Sequence, residues 1–427
     1  MPAHELTTLP TGERVISERV ASVRSVSLGL WIGAGSRDEP QTKAGISHFI
    51  EHLLFKGSSR HTAQEIAEIF DAMGGELNAA TSRETTVVYT RIPDGHLERA
   101  LDVMTDMVFS PSFDDVDSER EVVLEEIAMV EDNPQDLVHD LVSEAVFGGH
   151  PLGRPVIGTA GVISSVSKRS LRSYHQSAYE RRNVVLAAAG NVAHDRLVEL
   201  LAERRGEKAE AQRPARKPLS RMPTPGVRFQ RKDTEQYHVC LAGPGVSRSD
   251  PRRYAASLLD AIVGGSASSR LFQEIREKRG MAYAVYTYAS QYVDGGQVGL
   301  YVGTREENLL ECLEVAAAEL RDVAAGNVRP EELERAKENL KGRLLLSLES
   351  TSSRMTRLGK ALVTGVELVP VDETIRRIET VTADDVAALA QDVLAPEGLS
   401  AACIGPSEKR FRAAVARVNP GLLAEAA

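Results

Sequence analysis

The sequence predicts an α+β protein built from two homologous halves, each a mostly antiparallel sheet with helices packed on one face. Three observations predict this. At 427 residues the chain is too long for one ordinary hydrophobic core. Short apolar, β-branched runs alternate with longer segments of helical period. And the chain repeats itself. SRDEP at Ser36–Pro40 recurs as SRSDP at Ser247–Pro251, each after an apolar strand, VSLGLWIG and YHVCLAG. FDDVDSER ending at Arg120 recurs as RPEELER ending at Arg335, and VSKRSLRSY from Val166 as VTADDVAAL from Val381. The offsets, 211 and then 215 residues, keep their order along the whole chain.

In the first half, strands are expected at Arg14–Ser17, Val26–Ile32, Gly75–Ala80, Thr85–Ile92 and Val184–Ala189, where apolar or alternating runs are bounded by turn residues. Helices are expected at Ile46–Leu54, Ala63–Ala72, Leu97–Phe109, Asp114–Val130, Leu137–Val146 and Ser167–Tyr179. The second half repeats the scheme, with strands near Tyr237–Leu241, Met281–Ala289, Gly296–Val302 and Ser400–Ile404. Between the halves, ERRGEKAEAQRPARKPLSRMPTPG lacks apolar period and reads as an exposed linker. The expected division is a first domain at 1–205, a linker at 206–225 and a second domain at 226–427.

Composition bounds the function. The net charge of −10 and the sequence pI of 5.6 oppose nucleic-acid binding, despite the basic linker. There is no glycine-rich phosphate loop. The start, MPAHELTTLPTGERV, has no apolar core of a secretory signal, and no run approaches the ~20 apolar residues of a membrane span. The three cysteines, Cys240, Cys312 and Cys403, are scattered and odd in number, which suits reduced thiols and a cytoplasmic setting.

The chemistry concentrates in SHFIEHLLFKG. On a helix, His48 and His52 stand one turn apart on one face, with Glu51 beside the second. Two such imidazoles suit one zinc ion, and the carboxylate is placed to handle protons. H-x-x-E-H is the inverted form of the common zinc-protease motif. Two histidines capping a core beside a solvated glutamate would give the same letters, so a third ligand matters. On the acidic helix downstream, Glu126 shares its face with Glu119, Val122, Val123 and Val130, whereas Glu125 goes with Glu121, Ser118 and Asp132. A carboxylate on an apolar stripe is costly unless paired or metal-bound, so Glu126 is the better ligand candidate and Glu119 a group that orients a ligating histidine. The repeat supplies a control. His48, Glu51 and His52 fall on Leu259, Ile262 and Val263, and Glu126 falls on Lys341. The fold does not require those polar groups, and one half carries the site.

HFIEHLLFKG, the Glu119-x6-Glu126 arrangement, GGELNAATSRETTVVY and SSRLFQEIREKRGMAYAV, in this order, resemble the pitrilysin-type (inverzincin) zinc metallopeptidases. The likeness is to the short-chain branch with the mitochondrial processing peptidase β subunit and its bacterial relatives, and it runs nearly end to end. It implies two pseudo-symmetric domains and one Zn2+ per chain on His48, His52 and Glu126. It also implies Glu51 as catalytic base, Glu119 as supporting acid, and peptide contacts at Asn78 and Ala79 on a strand that would accept substrate if its edge is free. Arg276 and Tyr283 in the second half become substrate-binding groups by the same resemblance, supplied across a homodimer that encloses a chamber. The expected function is a zinc endopeptidase acting on peptides or unfolded presequence-like segments. A non-catalytic scaffold of the same fold is the alternative, although a scaffold has no need of the full ligand set.

Overall fold

The computed structural model describes residues 4–203, 216–220 and 222–422. In the first half the strands are β1 (Glu5–Thr8), β2 (Arg14–Arg19), β3 (Ser25–Ile32), β4 (Glu76–Thr81), β5 (Thr86–Pro93) and β6 (Val184–Gly190). The helices are α1 (Ile46–Leu54), α2 (Ala63–Met73), α3 (Leu97–Phe109), α4 (Val116–Asp132), α5 (Pro134–Phe147), α6 (Ala160–Ser165), α7 (Lys168–Ala178) and α8 (His194–Glu203). The second half has β7 (Val227–Arg231), β8 (Tyr237–Gly245), β9 (Ala282–Gln291), β10 (Gly296–Thr304) and β11 (Ser400–Gly405). Its helices are α9 (Arg253–Val263), α10 (Leu309–Ala324), α11 (Pro330–Ser347), α12 (Thr351–Thr364), α13 (Val371–Glu379), α14 (Ala383–Val393) and α15 (Glu408–Val418), with a π-helical turn at Phe272–Glu277.

Two compact units divide the chain, and neither is one half of the sequence. The first comprises Met1–Ala128, Arg154–Lys217 and Leu345–Pro370; the second comprises Met129–Gly153, Pro218–Leu344 and Val371–Ala427. Each unit therefore contains a helix from the opposite half.

The first unit is built on a six-stranded sheet of order β1-β2-β6-β3-β5-β4. Only β2 and β6 run parallel. The central strands β3 and β6 are buried along nearly their whole length, because both sheet faces are covered. One face packs the apolar stripes of α1, α3 and α7, with Phe49, Leu53, Leu101, Met104 and Leu171 at its centre. The other face receives α12. Trp31 donates its indole N–H to Met355 Sδ at 3.4 Å, and a Cβ on Gly359 would stand 2.1 Å from Trp31 Nε1, so only glycine lets the helix come this near. Ser27 on β3 meets the hydroxyls of Thr351 and Ser352 at 2.8 and 3.0 Å.

The second unit repeats the plan with one strand fewer, in the order β7-β11-β8-β10-β9, and here β7 and β11 are the parallel pair. One face carries α9, α10, α14 and α15. The other receives α5, whose Val138, Val142 and Val146 pack on Cys240, Ala242 and Ala402. All three cysteines are buried free thiols. Strand order and direction match between the sheets position for position, so the weak letter-by-letter repeat encodes a full structural duplication. Among the described residues, no helix is long and apolar enough to cross a membrane. Most of the linker expected at 206–225, namely 206–215 and 221, lies outside the described residues.

Candidate metal and catalytic site

Helix α1 carries the site and is fixed at its start from outside. Gly45 takes φ +94°, and a side chain there would strike Ile157 O at 2.5 Å. The orphan N–H groups of Gly45 and Ser47 both donate to the Glu39 carboxylate at 2.7 Å. Burial pushes this carboxyl up to about 7, against the pull of those two donors. Leu53, Phe49, Ile46 and Ile50 face the core with no exposure. His48, Glu51 and His52 occupy the remaining arc.

The imidazoles of His48 and His52 lie with ring centroids 4.6 Å apart. From α4, Glu126 reaches both, with Oε1 3.6 Å from His48 Nε2 and Oε2 3.2 Å from His52 Nε2. The donor atoms of these three residues all lie within 4.8 Å of one another. Glu119, two turns earlier on α4 and buried, accepts the Nδ1–H of His52 at 2.9 Å and meets Lys56 Nζ at 2.8 Å. That bond leaves the lone pair of His52 on Nε2, the nitrogen facing Glu126. Glu121, Glu125, Ser118 and Asp132 are exposed.

The cluster fits a metal by two tests. Tetrahedral zinc with bonds near 2.0–2.2 Å needs ligand atoms about 3.4 Å apart; each imidazole has one Glu126 oxygen near that distance, and one donor atom from each residue lies within 4.8 Å of the other two. The imidazoles must also be neutral, and burial, with His52 alongside, holds His48 down to about 4. Three ligands of this kind leave a fourth position for water. Beside them, burial raises the pKa of Glu51, while hydrogen bonds from Thr81 and the proximity of His52 oppose it. The buried Oε2 of Glu51 has no hydrogen-bond partner within the described residues.

Among the described residues, strand β4 is the edge strand of its sheet, and it packs beside α1. Asn78 is exposed and Ala79 half-buried, and the Ala79 N–H is taken by Asn78 Oδ1 at 2.8 Å rather than by a neighbouring strand. In the second unit, Arg276 and Tyr283 join each other. The guanidinium lies 4.4 Å from the Tyr283 ring centroid and 4.7 Å from that of Phe272, and Nη1 donates to Tyr283 O at 3.1 Å. Tyr283 is 77% exposed. Among the described residues the second copy has no comparable cluster: Leu259, Ile262 and Val263 are buried in its core, and Lys341 pairs with Glu338 and Glu379. Glu39, Lys56 and Thr81 escaped the sequence reading, because each meets the site through tertiary approach and no motif marks it.

A two-unit α+β fold with an inverted H-x-x-E-H helix, and a carboxylate brought beside its histidines from a second helix, suits a class of metalloproteases. The chain belongs to it through peptidase family M16. The family model described as Insulinase (Peptidase family M16) matches residues 14–160, and that of the Peptidase M16 inactive domain matches 165–340. The chain is 42% identical over 411 residues to an uncharacterized zinc protease of Streptomyces coelicolor, covering 94% of this chain and 89% of that one. It is 40% identical over 406 residues to the uncharacterized zinc protease YmxG of Bacillus subtilis, covering 94% and 98%. Among solved structures, the peptidase M16 inactive domain from Pseudomonas fluorescens superposes with a TM-score of 0.88 at 22% identity, covering 95% of this chain and 98% of that one. A protease from Helicobacter pylori gives 0.85 at 22% identity, covering 95% and 100%. At that identity the two structures establish the fold alone.

Proposed function

We propose that this metalloprotease is a zinc-dependent endopeptidase that cleaves peptides or unfolded presequence-like segments. His48, His52 and Glu126 are the metal ligands, Glu51 is the general base and Glu119 the supporting acid. The observation that carries the reading is the placement of Glu51 between a metal-ready cluster and a free strand edge. Zinc, when bound, supplies Lewis acidity at the attacking water and the scissile carbonyl. Glu51 takes a proton from that water as the O–C bond forms, and returns it to the leaving amine as the C–N bond breaks. Its raised pKa suits both duties. Glu119 orients His52 and keeps its tautomer.

Substrate adds to β4 as a further strand, with Asn78 and Ala79 at the contact. Main-chain pairing of this kind tolerates many side chains. Arg276 and Tyr283 supply donors to the substrate backbone from the partner of a cytoplasmic homodimer. The exposure of Tyr283 supports a role outside its own core. The test is zinc content and cleavage of a quenched fluorescent peptide library by wild type and Glu51→Gln. Cleavage abolished only in the variant, with zinc retained in both, supports the reading. Zinc without cleavage in either would favour the scaffold alternative. Gel filtration with light scattering tests the dimer, which a monomeric mass for the active species would exclude.

A further inference from the structure

The repeated SRDEP motif and the basic linker have no part in the chemistry above, yet they meet. Arg37 is 1% exposed and donates Nη1 to Glu84 Oε1 at 2.7 Å. Glu84, 2% exposed, lies in the turn between β4 and β5. Arg216, within the linker, grips Asp38 with two bonds of 2.8 Å and donates to Glu84 O at 3.0 Å. Arg37 in turn donates to Lys217 O at 2.8 Å. The buried side chains of Arg37, Asp38 and Glu84 and the part-buried Arg216 together carry two positive and two negative charges.

The backbone follows the same course. Ser36 N and Arg37 N donate to Ser82 O and Arg83 O at 3.1 and 2.8 Å, and a Cβ on Gly35 would stand 2.2 Å from Ser82 O. Segment 35–38 is thus clamped along the turn that directly follows Thr81. The next residue, Glu39, holds the start of α1. One short segment therefore supports both the substrate edge and the metal helix. Arg154 gives the α1 side a second support through Ser36 O and Glu39 O, at 3.3 and 2.8 Å.

The second copy again serves as a control. Arg37 corresponds to Arg248, which docks on the equivalent turn through Tyr292 O and Gln291 O at 2.8 and 2.6 Å. Asp38 corresponds to Ser249. The fold keeps the first arginine in both copies. The second ion pair exists where the edge strand borders the site.

We infer that Arg216 is a positioning residue for peptide binding: through Asp38 and Glu84 it fixes the β4–β5 turn, and so the edge strand on which substrate is laid. The inference rests on the endopeptidase reading. A carboxylate pair gripped in a fork is matched poorly by lysine. Arg216→Gln should raise the peptide KM about 10-fold, less than the roughly 100-fold that a 1 Å misplacement can cost. The kcat should stay within about 3-fold and zinc at wild-type stoichiometry, because Arg154 still supports α1. Arg216→Lys should fall between. Should Arg216→Gln fail to fold with Asp38 left unpaired, Asp38→Asn/Arg216→Gln removes both charges and should show the same KM rise. A wild-type KM in a folded variant overturns the inference, as does loss of zinc together with activity, which would place the support on α1 alone. Glu51→Gln run in parallel separates the failures. If it remains active, the endopeptidase reading falls; if it is inactive while the Arg216 variants match wild type, only the positioning role falls.

Discussion

Replacing Glu119 by alanine is expected to weaken metal binding without removing a ligand. The carboxylate has 5% side-chain exposure and two partners, His52 Nδ1 at 2.9 Å and Lys56 Nζ at 2.8 Å. Alanine leaves the His52 N–H without an acceptor and the lysine cation beside it without a counter-charge. The ring is then free to rotate or change tautomer, and the cation repels an incoming divalent ion. Loss of such a supporting carboxylate costs about 10- to 100-fold in metal affinity, which is roughly 1.4 to 2.8 kcal/mol. Glu126→Ala, which removes the proposed carboxylate ligand, should cost more. The assay is competition against a chromophoric chelator at fixed pH, reading Kd for wild type, Glu119→Ala and Glu126→Ala. Wild-type affinity in Glu119→Ala would refute the reasoning, because it would mean that the His52–Glu119 bond does not set the ligand geometry.

Two further outcomes follow from the structure. His175 is buried between Phe113 and Tyr179, donates Nε2–H to Val108 O at 2.8 Å, and is held down to about 4 by burial, which outweighs that bond. The folded chain keeps this ring neutral while the unfolded chain protonates it near 6.5. Its contribution is therefore fully present above about 6.5 and is lost as pH falls toward 4. Between pH 6.5 and 5 the loss is about 1.6 kcal/mol, and urea titrations should show it in wild type and not in His175→Phe; equal pH slopes would contradict this. Ala79→Pro removes the outward N–H of the edge strand, one that pairs with Asn78 and not with β5. It should raise KM for peptides while zinc content stays unchanged, and an unaltered KM would count against strand addition.

The site was legible where its chemistry is covalently local. His48, Glu51 and His52 are spaced by the helix itself, and α1 and α3 span the residues that their periodicity predicts. Glu126 was legible because the second copy replaces it with Lys341; the stripe that also pointed to it is buried only at Glu119 and Val123, with Val122 49% exposed and the Glu126 side chain itself 42% exposed. Groups that meet across long sequence distances left no local mark. The Glu39 cap of α1, the Thr81 bond to Glu51 and the Arg216 fork on Asp38 depend on how loops fold back. The short edges β1 and β7 were missed for the related reason that ELTT and VRFQR become strands only by pairing. Helices α5 and α12 show the limit of periodicity most clearly. Their apolar faces announce that they pack, but not that each covers the sheet of the opposite half.

The central claim is that Glu51 performs proton transfer at a metal held by His48, His52 and Glu126. The most direct test is zinc stoichiometry measured beside peptide cleavage for wild type and Glu51→Gln. One zinc per chain in both proteins, with cleavage reduced by at least about 100-fold only in the variant, is the predicted result. Cleavage at the wild-type rate by the zinc-loaded variant would contradict it.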